Sequence, residues 1–206
     1  MSNSSLKIIA IISMFFDHAG IIFFPDLIIF RIIGRIGFPI FVFLLIEGCN
    51  YTKNYKKHIF NLGLFALISE MPYKIAFNSN NTNVFFTLLL GALMIYFIKL
   101  YKNKVNTNNI TVGITLCLLF SIISLLLRTD YSGIGIILIY LIYQFKYIGL
   151  IVGCLLLGFI NPISFYSLLS LIPIYFYNKK RGINLKYIFY IIYPLHLIIF
   201  YLLGEL

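Results

Sequence analysis

Five ionisable residues, Asp17, His18, Arg35, Glu70 and His196, sit inside stretches of the chain that are otherwise apolar. Helical rise places them by depth, at about 1.5 Å per residue across a hydrocarbon layer of about 30 Å. Counted from Leu6, His18 lies roughly 18 Å in and so about 12 Å from the far surface. Arg35, counted from Leu27, and Glu70, counted from His58, reach about that same level, and His196 falls near the midplane. A charge at mid-bilayer costs several kcal/mol, so four helices that bring such groups to one layer have a reason to do so. An acid, an imidazole and a guanidinium at common depth can satisfy one another, and they can also move protons. Both readings stand at this point. Asp17–Arg35 or Glu70–Arg35 could be an ion pair that locks helices together, and His196 could be a satisfied core histidine.

Spacing adds detail. Lys7 and His18 are eleven residues apart, close to a whole number of turns, so they share a helix face with Ile11 and Met14 between them. They stand roughly 16 Å apart along the axis, enough for an extended pantetheine-like arm. Arg31 and Arg35 are one turn apart on a second face. Pro39 has no N–H for the Arg35 carbonyl and should interrupt the helix there, which is tolerated in a membrane only where the freed carbonyl finds a partner or lines a cavity.

The elements that must position these groups follow from composition. Of 206 residues, 61% are hydrophobic and 11% charged, and mean hydropathy is +0.98. A soluble domain of this length has no place for so much apolar surface, whereas a bilayer does. The apolar runs are long and lack the two-residue alternation of barrel strands. The expectation is an all-α, polytopic transmembrane bundle forming one domain over 1–206, with about nine spans near 6–24, 27–50, 56–76, 83–100, 110–127, 131–145, 147–160, 162–178 and 186–204. The first apolar run lacks a small-residue cleavage site and reads as a retained helix.

Basic residues set the orientation. Lys7, Lys53, Lys56, Lys57, Lys99, Lys102, Lys104, Lys146, Lys179, Lys180, Arg181 and Lys186 fall at one set of span ends, and Arg31, Arg35, Lys74 and Arg128 at the other. This predicts a cytoplasmic N-terminus and a multi-pass protein of a bacterial inner or plasma membrane. The net charge of +10 is explained by topology and anionic lipid, with no nucleic acid as partner. Cys49, Cys117 and Cys154 sit at unrelated spacings in apolar stretches and suggest neither disulfides nor a metal centre.

Several stretches carry a resemblance. Leu6-Lys7-Ile8-Ile9-Ala10 with Asp17-His18, the run Phe-Arg-Ile-Ile-Gly-Arg-Ile-Gly-Phe-Pro-Ile-Phe over 30–41, and Glu47-Gly48 are similar to the TraX family. So are Ile68-Ser69-Glu70-Met71-Pro72, Asn83-Val84-Phe85-Phe86-Thr87 and the Tyr190–His196 stretch. The similarity runs in order over nearly the whole chain. Lys7 and His18 also resemble the basic-x10-His motif of membrane sugar O-acyltransferases, with Lys where Arg is commoner. The family takes its name from conjugal-transfer membrane proteins that acetylate the pilin N-terminus.

What the resemblance implies is a transmembrane acyltransferase using acetyl-CoA or a related acyl-CoA. By carry-over, the catalytic group comprises His18, Asp17, Arg35 and Glu70, and the positions that bind the acyl-CoA are Lys7, Arg31, Glu47 and His196. His18 would be a general base or would carry the acyl group itself. Asp17 or Glu70 would orient its ring, and Arg35 would stabilise the oxyanion. The acceptor stays open among a peptide N-terminus, a sugar, and other amines or hydroxyls. A small transport or substrate-capture subunit with a buried proton relay is the alternative from another class.

Overall fold

The computed structural model describes residues 1–105, 110–183 and 186–204, and among these the fold is helical, joined by turns. The side chains of Lys104 and Lys186, both counted above to the basic side, lie outside the described residues. The helices are α1 (Asn3–Ile22), α2 (Ile28–Gly34), α3 (Gly37–Tyr51), α4 (Tyr55–Phe77), α5 (Val84–Val105), α6 (Ile110–Leu126) and α7 (Ser132–Ile160). A 3₁₀ segment (Pro162–Ser170), α8 (Leu171–Tyr175) and α9 (Lys186–Gly204) complete the chain.

Four helical stretches among the described residues are long and apolar enough to cross a membrane: Asn3–Ile22, Ile28–Tyr51, Val84–Lys102 and Ser132–Ile160. Large apolar side chains such as Leu67, Phe159 and Ile148 are exposed on the outside of the bundle, where lipid tails can cover them. The bundle is therefore that of a membrane protein. Nine full-length spans are not supported. Ile110–Leu126, Pro162–Tyr175 and Ile188–Gly204 are shorter apolar helices, and α4 is diluted by Lys56, Lys57, Glu70 and Lys74.

The region around Lys146 shows why counting apolar runs overstates the crossings. Lys146 takes a positive φ of 51° inside α7. A Cβ on Gly149 would collide with the Leu141 carbonyl, and one on Gly153 with the Leu138 side chain. Those pairings belong to a chain that turns back on itself, so 132–145 and 147–160 pack as two antiparallel arms. Each arm is about 21 Å long at helical rise, short of a full hydrocarbon layer.

The interruption expected from Pro39 is present, and it falls at Arg35–Ile36 between α2 and α3. The Ser13 hydroxyl of α1 donates to the carbonyls of Ile33 and Gly34 (3.2 Å to the latter), so the broken turn keeps a partner. Gly34 makes the fit possible, because a Cβ there would overlap Asp17. The chain thus brings an acid of α1 against the end of α2.

Asn83 ties α4 to α5. It caps α5 by accepting from the Phe85 N–H at 3.0 Å, and its amide donates to the Ala66 carbonyl and to Glu70, both at 2.8 Å. Around these joints α1 packs on α2, α3 and α9, and α4 packs on α5 and α9. α1 and α9 run the same way. The start of α1 bonds to Lys180 and Arg181, just before α9, while Gly204 at the end of α9 lies against Ile22.

Candidate functional site

α1 and α9 lie side by side, and this brings together two residues far apart in sequence. His18 Nδ1 and His196 Nε2 are 2.7 Å apart, with the two rings nearly parallel at 11° and 5.0 Å between centroids. The other nitrogen of His196 donates from Nδ1 to the Ile192 carbonyl, one turn back in α9, at 3.0 Å. Aromatic rings enclose the pair. Phe15 lies 4.6 Å from His196 and Phe200 5.5 Å from it, while Phe77 lies 4.9 Å and Tyr193 6.2 Å from His18. His196 is only 2% exposed.

Neither acid expected to orient His18 does so. Asp17 sits one residue away on the same helix, but neighbours on a helix project about 100° apart. Its carboxylate accepts from Arg35 Nη2 at 2.6 Å through both oxygens and pairs with Arg31 Nη1 at 3.1 Å. Glu70 accepts from the Asn83 backbone and side chain at 3.2 and 2.8 Å and pairs with Lys74 at 3.1 Å. Direction around the helix assigns these residues to three separate groups.

Asp130, in the turn between α6 and α7, belongs to the same end of the bundle. It accepts from the Tyr73 hydroxyl at 3.3 Å. Crowding by protein, and next the charge of Asp17, push its carboxyl up to about 6, against a smaller pull from Arg35, Tyr73 and Arg31. The residue remains exposed at the surface, so solvent screens part of that effect.

A cavity of about 580 Å³ opens at the other end, near the start of α1. Among the described residues, four cations, Lys7, Lys57, Lys179 and Arg181, line it together with His58 and one acid, Glu47. Lys7 stands 5.7 Å over the Phe189 ring. Among the described residues, Glu47 Oε2 is buried without a hydrogen-bond partner. Phe85 and Tyr190, both buried, are among the lining residues. Phe85 in turn stacks edge-on against Tyr193 at 5.0 Å, and Tyr193 lies 5.5 Å from His196. Two aromatic rings therefore separate the basic cavity from the imidazole pair.

The sequence-derived assignments divide accordingly. Of the four residues assigned to binding, Lys7 and Glu47 line the cavity, whereas Arg31 pairs with Asp17 and His196 pairs with His18. Sequence reasoning did not single out Asp130, Tyr73, Asn83 as a cap, or Lys179 and Arg181 as cavity walls. The basic run over 179–181 is visible in the sequence, where it counts toward orientation only.

Comparison with known proteins gives the lineage. The chain is 26% identical to the probable fimbrial assembly protein FimC, serogroup H1, of Dichelobacter nodosus, over 95% of this chain and 93% of that protein. It is 33% identical to the uncharacterized protein RP591 of Rickettsia prowazekii (strain Madrid E), over 50% of this chain and 38% of that protein. No solved structure matches. The family model described as TraX protein matches residues 2–204, which is nearly the whole chain, and the chain belongs to the TraX family.

Proposed function

We propose that this protein is a membrane-embedded acyltransferase that moves an acetyl or related acyl group from acyl-CoA to an amine or hydroxyl acceptor. The observation that carries the reading is the place of His18. It lies roughly 16 Å along α1 from Lys7, behind two aromatic rings from a cavity lined by four cations and one acid. A nucleotide's phosphates suit such cations, which favour anionic oxygens as charge-assisted partners. Glu47 Oε2 suits an exocyclic amino group, such as that of adenine, as the missing donor. The pantetheine arm then runs inward past Phe85 and Tyr193 and brings the thioester to His18.

His18 acts as general base. It takes the proton from the acceptor N–H or O–H as that atom attacks the thioester carbon. The C–S bond breaks, the acyl group stays on the acceptor, and the departing CoA sulfur collects the proton from His18. Arg35, held by Asp17, makes the end of α1 electropositive close to this chemistry and supports the developing oxyanion. The acceptor enters from the end that holds Arg31, Arg35 and Asp130, opposite the basic cavity.

The membrane frame of the reading is a single domain with its N-terminus and basic cavity on the cytoplasmic side, following the excess of Lys and Arg there. The setting is the bacterial inner or plasma membrane, where acyl-CoA is at hand on that side. The parallel course of α1 and α9 supports a frame in which the start of α1 and the end of α9 lie toward opposite faces.

The test uses purified protein in lipid nanodiscs with radiolabelled acetyl-CoA. Saturable binding and turnover support the enzyme. A protein that binds no acyl-CoA and releases no CoA would instead fit a transport or capture subunit and end this proposal.

A further inference from the structure

The hydrogen-bond chain through the two histidines has a direction. A carbonyl oxygen can only accept, so the bond to Ile192 at 3.0 Å requires the proton of His196 to sit on Nδ1. A neutral His196 then presents a bare Nε2. The nitrogen facing it, His18 Nδ1, is 2.7 Å away. Two lone pairs cannot approach that closely, so His18 Nδ1 carries a proton and donates it to His196. A neutral His18 has no second proton, which leaves its Nε2 with a free lone pair.

We infer that His196 is a positioning residue: it fixes the tautomer of His18 and so makes Nε2, rather than Nδ1, the basic nitrogen. Which ring nitrogen of a histidine carries the proton is set by the bond the other one makes, and here another imidazole makes it where a carboxylate or carbonyl usually does. The packing holds this arrangement. Phe15 and Phe200 flank His196, the two imidazoles lie within 11° of parallel, and the Ile192 bond anchors the far side of the pair to α9. When His18 Nε2 takes a proton from an acceptor, the Nδ1–H bond to His196 remains and stabilises the resulting imidazolium. Proton and charge stay on His18 until the leaving sulfur takes the proton.

The inference rests on the acyl-transfer reading only for its use; the tautomer can be measured without any substrate. The chain has three histidines, His18, His58 and His196, so ¹⁵N-histidine NMR of the full protein in nanodiscs can assign each ring with His58→Gln and His196→Phe variants. In the wild type the His18 proton is expected on Nδ1. In His196→Phe it moves to Nε2, and in His196→Gln, whose amide oxygen can still accept, it stays on Nδ1. A wild-type His18 protonated on Nε2, or a His18 tautomer unchanged in His196→Phe, overturns the inference. The kinetic counterpart is a kcat about 100-fold lower in His196→Phe with KM for acetyl-CoA held, and recovery to within about tenfold in His196→Gln. If the tautomer is as expected and no acyl transfer occurs, the enzyme reading falls and this inference stands. If transfer occurs with the proton on Nε2, the reverse is true.

Discussion

Asp17 accepts from a single nitrogen of Arg35 through both carboxylate oxygens, at 2.6 Å each. Both side chains are mostly buried, at 13% and 12% exposure. The pair spans the break between α2 and α3, where Gly34 leaves room for the carboxylate. It fixes the end of α1, and with it the position of His18 in the next residue.

Removing Arg35 leaves the buried Asp17 carboxylate with only the more exposed and more distant Arg31. Arg35→Leu is expected to destabilise the protein by about 3 kcal/mol, and Asp17→Leu with Arg35→Leu together should cost less than either alone. Denaturant unfolding in detergent checks this. Two single changes that simply add would show that the pair is not coupled.

Glu70 and Asn83 give a second expectation. Asn83→Ala removes the cap of α5 and the donor to Glu70, which should cost about 2 kcal/mol. Turnover per folded molecule should hold in this variant, because neither residue bonds to the histidine pair. Assaying activity against the folded fraction separates the two effects.

These relationships show how far the sequence carried. Depth counting from Leu6, Leu27 and His58 brought His18, Arg35 and Glu70 to one level, and the expected break near Pro39 is there. Depth alone could not give direction around each helix, so it left Asp17 open between Arg35 and His18, where the structure pairs it with Arg35, and it offered Glu70 to Arg35 or His18 when its partner is Asn83. A search confined to ionisable groups also passed over Asn83, whose neutral amide does the pairing. His196 was visible but unmatched, because its partner lies 178 residues away. The span count went astray at Lys146, where an apolar run on each side of a tight turn looks the same as two full crossings. The cavity was half legible: Lys7 and Glu47 face it, but Lys179 and Arg181 reach it only through the fold.

At the cavity, Glu47→Ala should raise KM for acetyl-CoA about tenfold and leave kcat nearly unchanged, since one hydrogen bond to a bound group is worth about 1.5 kcal/mol. Lys179→Ala and Arg181→Ala should act in the same direction, more strongly at low salt than at high salt. Steady-state kinetics at two ionic strengths provide the check. A fall in kcat without a rise in KM would place these residues outside the donor site.

Asp130 supplies a pH dependence. Its carboxyl is raised in the folded protein from 3.8 to about 6, so the fold favours the protonated form. The contribution is therefore complete below the unfolded value and is lost as pH rises through about 6. Asp130→Asn should melt above the wild type at pH 8 and level with it near pH 4, by a modest margin because the residue is exposed. Thermal unfolding of both proteins across that range measures the difference. A variant that melts below the wild type at pH 8 contradicts the account.

The most direct measurement of the central claim is CoA release from acetyl-CoA by wild-type and His18→Ala protein in nanodiscs, with acetyl-CoA binding measured on the same samples. The account predicts that the variant still binds acetyl-CoA with near wild-type affinity and has lost turnover by at least about 100-fold. A variant that turns over like the wild type contradicts it.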